Sequence, residues 1–468
     1  MPRWWRLGLI ALVAAIGLGA FALRQQIGPQ GQAAAGVLCF IGLVATSSTN
    51  LRAVRWSTLF YGLVLQVALA LFVLKFRVSF GDWEFSGYQV FSEIGAVIKR
   101  FLEFTSAGAT FVFGALADPA VLGQALPGRG FVFAFAALPT IVFASSFFSI
   151  LFYLGVLQLV VKYMALSMML VMRTSGAETL SAAANVFLGQ TEAPLIVKPY
   201  VSKMTQSELL ALMVGGMATI SGGIMAVYIQ MGADAVAILA TSVMAAPCGL
   251  YLAKLMLPET EQPQTLGRTT AKVEVPHRNL IDAAAGGASD GMALAFNVAA
   301  MLIAFLALLA MVDALLDFAY TSLHIPEGIN ALLAQWGWEN WQAWPELSLR
   351  RIFSVVFSPL AFLMGVAPKD IPAVADLLGT KLVLNEFVAY KELTTTYKTV
   401  LDPRSYALAT FALTGFANFG SVGIQLGGIG AMAPERRGDL ARLGMKALYV
   451  GFLTSMVNAA MAGMLLAV

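Results

Sequence analysis

The sequence predicts an all-α polytopic membrane protein built from inverted repeats, with two re-entrant helical hairpins and two unwound transmembrane helices. Three observations carry that prediction. First, 59% of the 468 residues are hydrophobic and 12% charged, with a mean hydropathy of +0.78, whereas a soluble domain carries about 25% charged residues. Second, two polar words interrupt long apolar stretches: Asn185-Val186-Phe187-Leu188-Gly189-Gln190-Thr191-Glu192-Ala193-Pro194-Leu195 and Lys381-Leu382-Val383-Leu384-Asn385-Glu386-Phe387-Val388-Ala389-Tyr390. Third, each word precedes an apolar segment broken by small residues, Ala218-Thr219-Ile220-Ser221-Gly222-Gly223-Ile224 and Gly415-Phe416-Ala417-Asn418-Phe419-Gly420-Ser421. Paired broken segments in two halves are the sequence mark of a transporter binding site.

A helix needs roughly 20 apolar residues to cross the hydrocarbon core. Suitable stretches cover 7–23, 34–49, 57–74, 131–161, 208–230, 236–256, 292–316, 405–430 and 440–467. The first follows Arg3 and Arg6 and ends at Ala20-Phe21-Ala22. It reads as a retained helix or as a signal peptide. Retention is favoured, because the later spans can target the chain unaided. Segment 77–106 mixes Asp82, Glu84, Glu93, Lys99, Arg100 and Glu103 with Trp83, Phe85, Phe91, Ile94, Val97, Ile98 and Phe101, a spacing that suits an amphipathic helix in the interface. Segment 349–366, with Pro359 at its middle, also suits the interface. Loop 258–279 contains Pro258, Pro263 and Pro276 and reads as flexible.

Lys and Arg bias sets the orientation. With the N-terminus inside, Arg3, Arg6, Arg52, Arg55, Lys254, Arg268, Lys272, Arg278, Arg436, Arg437, Arg442 and Lys446 all fall inside. That scheme holds only if both polar words turn back to the side they entered from, which independently requires re-entrant hairpins.

Acids at bilayer depth mark functional sites. Glu192 and Glu386 accept hydrogen bonds strongly, while Gln190, Thr191, Asn418 and Ser421 both donate and accept. Phe416 offers an aromatic face. No Arg or Lys lies at the centre of the words, so an anionic ligand finds no counter-charge. The set fits a neutral, flat molecule with vicinal hydroxyls and a heterocycle, a sugar-like or nucleoside-like solute. Unwound backbone survives at this depth only where protein buries it or it faces a cavity; there it too can hold a ligand. Glu192 and Glu386 have a simpler alternative role, capping loop N–H groups. Glu178 and Lys381, nearer the hairpin ends, fit solvated or interfacial positions as well as a site, and Phe387 and Tyr390 fit packing.

Other classes lack support. The histidines, His277 and His324, sit in separate loops with no metal-ligand spacing, and His-Glu-x-x-His does not occur, so a metal-dependent intramembrane enzyme has no motif. Two distant cysteines, Cys39 and Cys248, make no disulfide framework. A net charge of +3 without a basic stripe gives no nucleic-acid surface. A channel would need a continuous pore lining instead of a trapped-solute site.

Gly379-Thr380-Lys381 followed by Asn385-Glu386-Phe387-Val388-Ala389-Tyr390 resembles the signature of the concentrative nucleoside transporter family. Gly189-Gln190-Thr191-Glu192-Ala193-Pro194-Leu195 and Gly415-Phe416-Ala417-Asn418-Phe419 are similar to two further motifs of that family. The likeness runs from about residue 34 to the C-terminus. It implies a homotrimer in the bacterial inner membrane, taking up nucleosides (uridine, cytidine or adenosine class) with sodium or a proton by an elevator motion, with no enzymatic cofactor. It implies that Gln190, Thr191 and Glu192 hold the base with Ile224 beside them. Glu386, Asn418 and Ser421 hold the ribose, Phe416 lies against the base, and Leu294 lines the pocket from the scaffold. Sodium, the coupling ion, falls on Asn185, Thr219 and the carbonyls of Leu188 and Ile220. The implied division is an extra N-terminal segment (1–33), a scaffold and trimerisation region (34–161 and 280–347) and a transport domain (162–257 and 348–468) with hairpins near 175–200 and 373–398. The 7–23 helix and the stretch around 317–343 depart from the family pattern. Trp336, Trp338, Trp341 and Trp344 suit a membrane-interface anchor.

Overall fold

The computed structural model describes residues 3–467 apart from 81–82, 119–120, 123, 125–131, 267–276, 328–329 and 331–346. The four tryptophans from Trp336 to Trp344 lie outside the described residues. Three helices open the chain: α1 (Arg3–Ala22), α2 (Arg24–Thr46) and α3 (Trp56–Leu74). Gly28, at φ 63°, kinks α2 ahead of Pro29, a backbone geometry that glycine takes without strain. α1 packs on α2, with the Cys39 Sγ 3.6 Å from the Val13 carbonyl.

Segment 77–106 departs from the expected single amphipathic helix. Arg77–Phe80 (β1) and Trp83–Ser86 (β2) form an antiparallel pair, with Val78 opposite Phe85. Helix α4 starts only at Gly87 and runs to Phe113. The alternation of polar and apolar residues around Gly81-Asp82 is a hairpin signal that the neighbouring helical spacing obscured.

The predicted 131–161 span is two helices. α5 (Phe133–Tyr153) and α6 (Val156–Met172) meet at a 73° bend, where Gly155 adopts φ 79°. The first hairpin descends through α7 (Gly176–Ala184) and returns through two short turns, Ala193–Ile196 and Lys198–Val201. Then follow α8 (Gln206–Ala218), the break at Thr219–Ser221, α9 (Gly222–Met231) and α10 (Ala235–Met256). Helix α11 (Leu280–Ser322) has 43 residues, about 65 Å at 1.5 Å per residue, and contains the predicted 292–316 span. Segment 349–366 splits at Phe357 into α12 (Leu349–Val356) and α13 (Ser358–Leu363), with Pro359 in the first turn of α13, where its missing N–H is tolerated. The second half repeats the plan: a hairpin of α14 (Ile371–Val383) and α15 (Glu386–Thr395), a broken helix of α16 (Pro403–Leu413) and α17 (Phe419–Met432), and a closing helix α18 (Arg437–Leu465).

Both hairpins return to where they start. At the first mouth, Ser175 and Thr205 each begin a helix with a capping box, and the Ser175 hydroxyl donates to Glu208 at 2.5 Å, which ties the entry to the exit. Lys254 joins the mouth through ion pairs to Glu178 (2.6 Å) and Glu259 (3.2 Å). Glu178 is 1% exposed, so the solvated role open to it from sequence gives way to a buried cap and ion pair. The expected flexibility of 258–279 also needs correcting for its described beginning: Thr265 accepts from Gly176 N and Ala177 N, both at 3.0 Å. At the second mouth, Arg350 bridges Asp376 (3.2 Å) and Glu392 (2.5 Å), and Tyr397 donates to Asp376 at 2.8 Å.

Burial sorts the helices. Every residue in the most apolar stretch of the α8–α9 span is buried, against 6% of the matching stretch of the first helix. α5 packs on α11 and also meets α9. α2 and α3 pack on α18 and α10, and α2 also on α13.

Candidate functional site

The two polar words and the two helix breaks converge. A cavity of about 120 Å³ is lined by Gln190, Thr191 and Glu192 from the first hairpin, Ile224 from α9, Leu294 from α11, Glu386 from α15, and Phe416, Asn418 and Ser421 from the second break. These are the nine residues that the sequence singled out for a solute. A larger chamber of about 360 Å³ adjoins it, sharing Glu192, Ser221 and Leu294 and adding Phe148, Ser149, His277 and Asp290.

Helix ends position the polar groups. Asn418 is the N-cap of α17, its Oδ1 accepting from Ser421 N at 2.9 Å. That bond fixes the amide, so its Nδ2 points at Glu386 Oε2, 3.0 Å away. The Tyr228 hydroxyl donates to Glu386 Oε1 at 3.1 Å. Two fixed donors therefore orient a carboxylate that is 6% exposed. Gln190 donates from Nε2 to the Ser421 hydroxyl at 3.1 Å, and its Oε1 is buried without a partner. A buried carbonyl oxygen left unpaired is costly, and a donor on a bound solute relieves it. Glu192 accepts from Gly189 N at 3.0 Å, so this acid does take the simpler capping role while its side chain also lines both chambers.

Sequence reasoning missed part of the lining. Tyr228 lay inside an apolar helix, yet it lines the cavity with Val298 and Ile424 and stacks on Tyr390 with ring centroids 4.1 Å apart. A lone phenol in a wholly apolar run was the available signal. Phe387, read as packing, also lines the cavity. Tyr390 does pack, donating to the Thr410 carbonyl at 2.9 Å.

The residues predicted to hold sodium lie where the first hairpin tip meets the α8–α9 break. Asn185 is 0% exposed. Its Nδ2 donates to the Ser181 carbonyl at 3.0 Å, which fixes the amide because a flip would oppose two oxygens. The Oδ1 is left buried and unpartnered. Thr219, the C-cap of α8, donates to Gly215 O at 3.0 Å, leaving its oxygen lone pairs free. The hairpin tip is tied to the break by Gly222 N to Phe187 O at 2.8 Å, next to the Leu188 and Ile220 carbonyls. Neutral oxygens with an unmet buried acceptor suit a hard monovalent cation. Among the described residues no cluster of three His, Cys, Asp or Glu forms a metal site.

Comparisons with known proteins agree along the chain. Residues 35–116 match the family model for the Na+ dependent nucleoside transporter N-terminus, 134–235 the Gate model of nucleoside recognition, and 237–463 the Na+ dependent nucleoside transporter C-terminus. An uncharacterized transporter of Haemophilus influenzae is 41% identical over 434 residues, covering 92% of this chain and 96% of its own. Human sodium/nucleoside cotransporter 1 is 40% identical over 479 residues, covering 99% of this chain. The chain spans 68% of that relative's length and 63% of the mouse counterpart's. Among solved structures, CNTnw in an inward-facing substrate-bound state superposes with a TM-score of 0.82 at 37% identity, covering 93% of this chain and 98% of that one. A CNTnw variant in an outward-facing state gives 0.79 at 38%, covering 93% and 97%. This chain belongs to the Na+-dependent nucleoside transporter family and is an alternating-access transporter, not an enzyme.

Proposed function

We propose that this protein carries one nucleoside together with sodium into the cell, binding the nucleoside in the cavity between the two hairpin tips. The observation that carries the reading is the convergence of Gln190, Glu192, Glu386, Asn418 and Ser421 on that single cavity. The carboxylate of Glu386, held by Tyr228 and Asn418, accepts from the vicinal hydroxyls of the ribose. Gln190 Oε1 accepts from the base, with Thr191 and Glu192 alongside, and Phe416, Ile224 and Leu294 close around the apolar faces.

Sodium is held by Asn185 Oδ1, the Thr219 hydroxyl and the carbonyls of Leu188 and Ile220. Bound there, it draws the hairpin tip onto the break in α8–α9. Gln190, Thr191 and Glu192, three to five residues beyond Phe187, are then preorganised for the base. A ligand shifts an equilibrium only by its differential affinity for the two states. Sodium must therefore favour the hairpin arrangement that binds nucleoside, and nucleoside must tighten sodium by the same factor.

The hairpins and broken helices form the moving body, and α5 with α11 the fixed one, in an elevator within the bacterial inner membrane. The exposed apolar side chains of α11, including Phe296, Ile303, Met311 and Phe318, suit lipid or the interface of a homotrimer, which native mass spectrometry distinguishes. Uptake of labelled uridine, cytidine and adenosine into proteoliposomes under an imposed sodium gradient tests the function. Accumulation above the external concentration supports it. Equilibration without accumulation contradicts symport, and uptake driven equally by a proton gradient with no sodium contradicts the ion assignment.

A further inference from the structure

The second hairpin carries a charged group that this transport scheme leaves unused. Lys381 lies on α14, five residues before Glu386. It is 0% exposed, not solvated or interfacial as its place near a hairpin end allowed. Its Nζ donates to the Ala412 carbonyl and the Ser455 hydroxyl, each at 2.8 Å, and lies 5.7 Å from the Phe452 ring centroid. A buried ammonium is costly unless hydrogen-bonded and paired. Ala412 belongs to the last turn of α16, where unsatisfied carbonyls carry partial negative charge.

The first half is built alike at this level, with one difference. α8 and α16 both end on a threonine cap, Thr219 and Thr414. Each hydroxyl donates to the carbonyl four residues back, Gly215 at 3.0 Å and Thr410 at 2.8 Å. α9 and α17 both restart on a polar cap, Ser221 and Asn418. Against the end of α8 the first hairpin presents Asn185, whose buried oxygen has no partner. Against the end of α16 the second hairpin presents Lys381, whose ammonium is already bonded there. One half awaits a cation, and the other carries its own on a tether.

We propose that Lys381 is a positioning residue that does permanently, for the second hairpin, what the mobile coupling ion does for the first. Its ammonium pins α14 to the end of α16 and to α18, so that Glu386 stands ready for the ribose whether or not sodium is bound. Ion coupling then runs through the first half alone. This rests on the reading that Glu386 holds the ribose.

The test compares Lys381→Met and Ser455→Ala with wild type in purified, sodium-equilibrated protein. Three quantities are measured: affinity for uridine, affinity for its dideoxy analogue, which lacks the vicinal hydroxyls, and sodium affinity without nucleoside. Loss of hydrogen bonds to a charged group predicts about tenfold weaker uridine binding for Lys381→Met. Ser455→Ala, which removes one contact and keeps the lysine, is expected to show about a threefold loss. Dideoxyuridine and sodium affinities stay within twofold of wild type. A merely structural lysine would weaken all three together, and that result overturns the proposal. So does uridine affinity unchanged in both variants. If Lys381→Met fails to fold, Ser455→Ala decides by the same three readouts. Glu386→Gln serves as the control for the underlying reading: if it too fails to separate uridine from the dideoxy analogue, the ribose assignment has failed. If it separates them and the Lys381 and Ser455 variants do not, only the tethered-cation proposal has.

Discussion

Replacing Glu386 by glutamine keeps the side chain's shape and removes its charge. Both neighbours of the carboxylate are donors, Tyr228 at 3.1 Å and Asn418 at 3.0 Å. Asn418 cannot turn its oxygen toward the new amide without losing its cap on Ser421 N. The amide oxygen therefore faces Asn418 and its NH2 faces Tyr228, whose hydroxyl rotates to accept. The site survives, but the ribose hydroxyls now meet a neutral group. Hydrogen bonds to charged groups contribute about 1.5–3 kcal/mol and neutral ones about 1 kcal/mol. Two weakened bonds come to about 2 kcal/mol, or about 30-fold in uridine affinity. Isothermal titration at fixed sodium reads this directly. Dideoxyuridine, without the vicinal hydroxyls, should change less than about threefold. A variant that folds as wild type and binds uridine within that same margin would refute the ribose assignment.

Other substitutions probe the remaining parts. Asn185→Leu removes the unpartnered oxygen, so uridine affinity should become indifferent to sodium and settle at the wild type's sodium-free value, a drop of about 5- to 150-fold in saturating sodium if coupling has the usual size. Gly216→Ala would put a Cβ 2.7 Å from Gln425 Nε2 and 2.9 Å from Gln190 Cβ, closer than packed atoms tolerate. It should displace Gln190 and weaken nucleoside binding, whereas Gly423→Ala, with nothing within 4 Å, should leave it unchanged. Tyr228→Phe removes one donor to Glu386 and should weaken uridine binding about fivefold by titration, with little effect on dideoxyuridine.

The parts of this fold legible in the sequence were those where polarity contradicts its surroundings. Gln190-Thr191-Glu192 and Asn385-Glu386 stood out because polar groups at membrane depth need a reason, and the loop charges demanded that both turn back. The breaks at Thr219–Ser221 and Gly415–Asn418 were visible because clustered small residues weaken a helix. Features set by tertiary contact were hidden. Lys381 looked like a hairpin-end residue, since nothing local announces Ala412 and Ser455 from distant helices. Tyr228 resembled its apolar neighbours until Glu386 came within 3.1 Å. The β1–β2 pair is only four residues a side, too short for its alternation to outweigh the helical pattern that follows. The packing partners of α2 and α3 were equally silent, because their apolar faces fit lipid or another helix alike.

The central claim is that sodium prepares the first hairpin for the base. Reciprocal titration tests it most directly: uridine affinity with and without sodium at constant ionic strength, and sodium affinity with and without uridine. The account predicts that each ligand tightens the other by the same factor, and that Asn185→Leu abolishes both effects together. Uridine affinity that does not change with sodium in the wild-type protein would contradict it.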